Sequence, residues 1–306
     1  MSIKESVTLV AGEPVAAVNS RALVGWMSRD EAAAVLLGGR FPAPGEDLSK
    51  QDEVITRAKA KVNERPEYKP EDCVVDTGHG FDLESFSSNQ VIASHFFGLK
   101  WSIKVVDLTK VLTFQKLVKV DGLAERLSPI ISDKSNKEKL AKFCLPLDAP
   151  ELPQGLIPDM DKHGFSISSL NPNLRFAGAQ AGAIAITPQE GLPPVNMLGI
   201  TFLISMGASY MQVAKYNGRA FLRDGNHRAV GLLQNGITQV PCVFIEATSF
   251  EQVGADPAST LSHEILYGQR PPYLKDFIAD LVSVAALQPS TRRVIHLRAS
   301  EFSIQG

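Results

Sequence analysis

The dipeptide Asn217-Gly218 separates two runs of strand-forming residues, Tyr210 to Tyr216 and Arg219 to Arg223, and so demands a tight hairpin. Both turn residues tolerate positive φ, which the centre of a two-residue hairpin requires. The segment beyond it is equally directive. Asp224-Gly225-Asn226-His227-Arg228 leads into a helix predicted from about His227 to Gln234, stopped by Asn235-Gly236. Gln239 to Ile245 then reads as a strand. A helix begins with unpaired backbone N–H groups and a partial positive charge. Gly225 lets the chain turn sharply and a ligand approach closely. His227 and Arg228 add side-chain donors, and an arginine fork meets phosphate through two parallel hydrogen bonds. Together these make an anion site, with a phosphate as the expected occupant. Arg228 is then expected at a solvent-reachable helix end, with little part in folding. The competing reading has Asp224 capping the helix and Arg228 pairing with a surface carboxylate.

The rest of the chain gives coarser signals. Ser6 to Val10 alternates weakly, as a strand does. Helices are predicted over Arg29–Leu37, closed by Gly38-Gly39, over Ser49–Val62 and over Lys134–Phe143. Ser102–Leu108 reads as a strand and Leu112–Val118 as a second extended piece. Leu145 to Pro158 is broken by prolines and reads as a loop. Pro194–Ser205 is expected to be a helix. Phe277, Leu281 and Val284 fall on one face of a predicted amphipathic helix, and Val294–Leu297 is a last strand.

Composition narrows the function classes. Among 306 residues the formal net charge is −2, which argues against a dedicated duplex-binding protein without excluding a local basic patch. Three distant cysteines, with no CxxC pair, argue against a disulfide framework or a structural zinc, so a reducing cytoplasm is expected. No run reaches the roughly 18 apolar residues of a membrane helix, so no membrane partner is expected.

Arg223-Asp224-Gly225-Asn226-His227-Arg228-Ala229, with Leu232-Leu233, Gly236-Ile237 and Val240-Pro241-Cys242 behind it, resembles the phosphate-binding signature of the ParB/sulfiredoxin superfamily. Val105-Val106-Asp107-Leu108 with Phe114-Gln115-Lys116 resembles the opening strand and polar loop of that family. The expected fold class is α/β or α+β, and the resemblance implies a ParB/sulfiredoxin-like central domain at residues 101–248 carrying an insertion at about 120–190. A 1–100 N-terminal extension and a 249–306 C-terminal helical extension flank it. It also implies that His227 and Arg228 bind phosphate oxygens, with the Gly225 and Asn226 backbone close by. Lys116 is a further phosphate-binding candidate.

Sulfiredoxin places its reactive cysteine directly before His-Arg, where this chain has Asn226, so thiol-based reduction is not expected at the motif. Cys242 lies in a predicted buried strand and reads as core. No helix-turn-helix pattern follows the motif, which argues against chromosome partition. The expected function is phosphate or nucleotide binding, with NTP hydrolysis or phosphoryl transfer as its catalytic form. Asp224 and His227 are the candidate catalytic groups, and Mg²⁺ would accompany the nucleotide. The alternative is a DNA-associated ParB-like binding protein or nuclease. His79 and Glu190 are minor candidates in polar loops, and no histidine pair has metal-ligand spacing.

Overall fold

The computed structural model describes residues 17–75, 80–148, 159–161, 164–169, 174–184, 197–207, 209–255, 260–290, 293–298 and 303–304. The strand expected at Ser6–Val10 and the candidates His79 and Glu190 lie outside the described residues, as does most of the expected loop 145–158. The architecture is mixed, with helices beside antiparallel and mixed sheets. The chain forms two units. The first joins residues 1–147 to 209–290, and so draws on all three expected segments. The second comprises residues 148–208 and 291–306.

In the first unit the order is β1 (Ala17–Ala22), α1 (Arg29–Leu36), α2 (Ser49–Asn63), α3 (Glu84–Ser87), α4 (Gln90–His95), β2 (Trp101–Asp107), β3 (Leu117–Lys119), α5 (Leu123–Ile131) and α6 (Lys137–Cys144). The second unit then supplies β4 (Asp159–Asp161), β5 (Gly164–Ser169), β6 (Leu174–Ile184) and β7 (Met197–Met206). The chain returns to the first unit with β8 (Gln212–Tyr216), β9 (Arg219–Asp224), α7 (Asn226–Gln234), β10 (Gln239–Glu246), α8 (His263–Leu266) and β11 (Val284–Pro289). It closes in the second unit with β12 (Arg293–Arg298).

The principal sheet of the first unit has the order β2-β10-β8-β9. β8 and β9 are antiparallel across the Asn217-Gly218 turn, where φ is 47° and 75°. β10 lies parallel to β8, so the chain must cross over between β9 and β10, and α7 makes that crossing. Both faces of α7 are covered: every residue from Arg228 to Leu233 is buried. The helix packs on α5, on β3 and on a 3-10 turn at Leu274–Ile278. Leu112, Phe114, Phe221, Val230 and Phe277 meet in an apolar cluster of this unit. A smaller sheet, β11-β1-β3, lies over the cluster formed by Ala32, Ala33, Ile55 and Ala58 of α1 and α2.

Two predicted helices are not helices. Pro194–Ser205 contains instead the strand β7, paired along its length with β6. A short apolar run does not by itself distinguish helix from strand. Here Ile200, Thr201, Phe202 and Ile204 favour the extended form. The segment around Phe277, Leu281 and Val284 holds only the 3-10 turn, after which Ala279 is extended and Val284 opens β11. Pairing of β11 with β1, more than 260 residues earlier, overrides the local helical period. No helix among the described residues is long and apolar enough to cross a membrane.

Candidate functional site

β9 ends in an irregularity that shapes the site. Val213 pairs with Leu222, but Gln212 pairs with Asp224, so Arg223 is an extra residue in the ladder. Such a bulge re-aims side chains that strand alternation would send to opposite faces. Arg223 and Asp224 therefore line the same cleft, of about 300 Å³, with His95, Phe96, Leu99, Gln212 and Gly254. Arg223 donates from Nη1 to Gln212 Oε1 at 3.1 Å. Its stem lies over Gly254, where a Cβ would stand 2.9 Å from the arginine Cγ. Burial draws the Arg223 pKa below its ordinary value, and the charge of Asp224 opposes that shift.

Beyond Asp224 the chain turns through Gly225, at φ 93°, into α7. The helix has no side-chain cap and no acidic residue in its first turn. Asp224 does not cap it. Its Oδ1 accepts the Gly225 N–H at 2.6 Å and its Oδ2 accepts the Ser209 hydroxyl at 3.1 Å, which holds the turn in place. Asn226 is 9% exposed, and its side-chain oxygen is buried with no hydrogen-bond partner.

His227 and Arg228 do not share an environment. His227 is exposed, whereas Arg228 is 6% exposed. The Arg228 guanidinium turns toward the C-terminus of α6. Nη1 donates to the Phe143 carbonyl at 2.9 Å, with the Cys144 carbonyl at 3.5 Å, and Nη2 donates to Ser209 Oγ at 3.1 Å. The last carbonyls of a helix lack partners inside it and carry partial negative charge. Arg228 supplies both the donors and the opposite charge. The expected solvent-facing phosphate fork is thus corrected to a buried tie between α7 and α6. The surface position that the competing reading gave Arg228 is corrected as well, since the residue is buried.

Lys116, the other expected phosphate ligand, donates to Glu31 Oε1 at 2.7 Å and is not among the cleft residues. That bond, helped by the bonds from Ser28 and opposed by burial, holds the Glu31 carboxyl below its ordinary pKa. His95, Gln212 and Arg223 were not singled out by sequence reasoning. Arg223 had a signal, since it adjoins Asp224, but alternation alone would have placed it on the opposite face.

The three cysteines are all buried and reduced. Burial pushes the Cys73 thiol up to about 11 and Cys144 up to about 12, and raises Cys242 well above its usual value. None offers a thiolate near neutral pH. A thiol reagent such as DTNB at pH 8 is expected to leave the native protein unlabelled and to titrate all three thiols in denaturant. Rapid native labelling of one cysteine would show that its burial is transient. No group of three or more His, Cys, Asp or Glu side chains suited to a metal converges among the described residues. Comparison with models of protein families, with curated proteins and with solved structures finds no match for this chain.

Proposed function

We propose that the chain binds a phosphate-bearing ligand, a nucleotide first of all, at residues 223–227, in the manner of the ParB/sulfiredoxin superfamily. The observation that carries this reading is the start of α7, which follows a left-handed glycine with neither a side-chain cap nor an acid in its first turn. A helix end of this kind favours an anion. The Asn226 side-chain oxygen beside it is buried with no partner and, as an acceptor, would meet a donor of the ligand such as a sugar hydroxyl or an amino group, not a phosphate oxygen. In this reading the cation is Arg223 in the cleft, not Arg228, and exposed His227 is an additional donor. Asp224 is the carboxylate that would hold Mg²⁺ arriving with the nucleotide, since that ion commonly takes one or two carboxylates beside phosphate oxygens. Phosphoryl transfer or NTP hydrolysis is the catalytic form of the proposal, with Asp224 and His227 as its groups.

Calorimetric titration with ATP, GTP, CTP and inorganic phosphate, with and without Mg²⁺, tests this. Saturable binding is expected for the wild type. Arg223→Gln is expected to weaken it by about ten- to a hundred-fold, as loss of a charge-assisted contact of roughly 1.5–3 kcal/mol implies. Absence of saturable binding to every one of these ligands, or unchanged affinity in Arg223→Gln, would overturn the proposal. Binding to DNA that falls steeply with salt would favour the DNA-associated alternative.

A further inference from the structure

An asparagine followed by glycine can react with its own backbone. The glycine nitrogen reaches the asparagine Cγ, and a residue without Cβ puts little in its way. The chain has two such pairs, Asn217-Gly218 and Asn235-Gly236. Both glycines have positive φ, 75° and 74°. The surroundings of the two pairs differ.

Asn235 is held at both reacting ends. Its Nδ2, the nitrogen that would leave, donates to the Gly231 carbonyl at 2.8 Å. The Gly236 N–H, which would give up its proton in order to attack, donates to the Leu233 carbonyl at 3.0 Å. The N–H groups on either side are tied as well: those of Asn235 and Ile237 donate to the Leu232 carbonyl at 3.0 and 2.9 Å. Asn235 is half-buried, and the whole C-terminal stop of α7 is fixed by these bonds.

Asn217 is held at neither end. It is exposed, as is Gly218, and no hydrogen bond from the Asn217 amide or the Gly218 N–H occurs among the described residues. The Tyr68 hydroxyl reaches the Gly218 carbonyl at 3.5 Å, which ties neither reacting atom. A Cβ placed on Gly218 would have nothing within 4 Å, so a ring closing there meets no neighbour. Among the described residues Asn217 is also the one non-glycine residue with positive φ, at 47°, a conformation that asparagine tolerates but does not prefer. An exposed turn tip opens more readily than the strands behind it.

We infer that Asn217 is a site of spontaneous deamidation in the folded protein, with water as the reactant and ammonia as the leaving group, and that the fold protects Asn235 from the same reaction. The Gly218 nitrogen loses its proton to solvent base and bonds to Asn217 Cγ. The Cγ–Nδ2 bond breaks, ammonia leaves, and a cyclic imide remains. Water then opens the ring. Addition at Cγ gives aspartate at position 217, and addition at the main-chain carbonyl gives isoaspartate, whose backbone runs through Cβ. No oxidant or cofactor enters. Each event adds one negative charge to the formal −2 of the chain. The isoaspartate form also adds a backbone carbon to the two-residue turn. The change stays at the tip, because Arg219 is fixed by bonds to the Leu266 and Gly268 carbonyls at 2.6 and 3.0 Å. Gln212 and Asp224 pair at the far end of the hairpin.

The test incubates the full chain, folded and in urea, at mildly alkaline pH, where the attacking nitrogen is more readily deprotonated. Trypsin releases Tyr216–Arg219 and a peptide that begins at Ala229, and chromatography with mass spectrometry follows each asparagine and its two acid products. In the folded chain Asn217 is expected to convert at least about ten-fold faster than Asn235, which must first break two hydrogen bonds. In urea the two rates are expected to converge, because the fold is what separates them. Asn217→Gly keeps a turn-forming Gly-Gly pair and is expected to abolish the acidic form that ion exchange resolves. Equal rates in the folded chain, a difference that persists undiminished in urea, or an Asn217 still intact when the urea sample has converted fully would each overturn the inference. So would an acidic form that accumulates at the same rate in Asn217→Gly.

Discussion

Arg228→Ala is expected to destabilise the protein by about 2–4 kcal/mol, as one or two charge-assisted hydrogen bonds are lost and a buried carbonyl is left without its donor. The Phe143 carbonyl loses the 2.9 Å bond from Nη1, and Ser209 loses its bond from Nη2. The Cys144 carbonyl keeps the Met211 N–H at 2.8 Å, so the damage falls mainly at Phe143. For a unit of this size the melting temperature should fall by roughly 4–16 °C. Arg228→Lys should recover only part of the loss, since an ammonium does not span two acceptors as a planar fork does. Melting curves with urea titrations of both variants decide the point. An unchanged melting temperature in Arg228→Ala would return the arginine to the solvent-facing role that its sequence position suggests.

Asp276→Ala should be worse still. Asp276 is 2% exposed and receives both Nη1 and Nη2 of Arg65, at 2.8 and 2.5 Å, together with the Tyr273 N–H at 2.7 Å. Arg65 also lies over the Trp26 ring, 5.2 Å from its centroid. Removing one member of a buried pair strands the other, at a cost of about 3–5 kcal/mol. The expected fall in melting temperature is roughly 6–20 °C. Arg65→Met is expected to be at least as damaging, because it strands the more deeply buried Asp276 even where its apolar stem keeps the packing on Trp26. Equal, small effects in the two variants would show that this pair is solvated and carries little of the fold.

Both side chains show how sequence reading reaches its limit. Arg228 lies in a motif with an evident chemical use, and its neighbours on either side argue for a ligand. Nothing within the motif reveals that Phe143, 85 positions earlier, presents a helix C-terminus to it. The bidentate partner of Arg65 lies 211 positions away, and no local pattern pairs them. Arg223 and Asp224 illustrate the same limit within two residues, because only the bulge against Gln212 turns both toward one cleft.

The sequence by itself determined what short-range backbone energetics dictate. Asn217-Gly218 adopts the positive φ pair of a tight hairpin, Gly225 is left-handed, α7 runs from Asn226 to Gln234, and the strand after it follows in order. Those outcomes depend on residues a few bonds apart, so the order of letters suffices. Tertiary structure alone decided that 197–206 is a strand, that Arg228 serves α6, and that Arg223 faces the cleft. In each case two local arrangements are close in energy. A ladder partner or a buried carbonyl, brought near only by folding, adds the few kcal/mol that select between them.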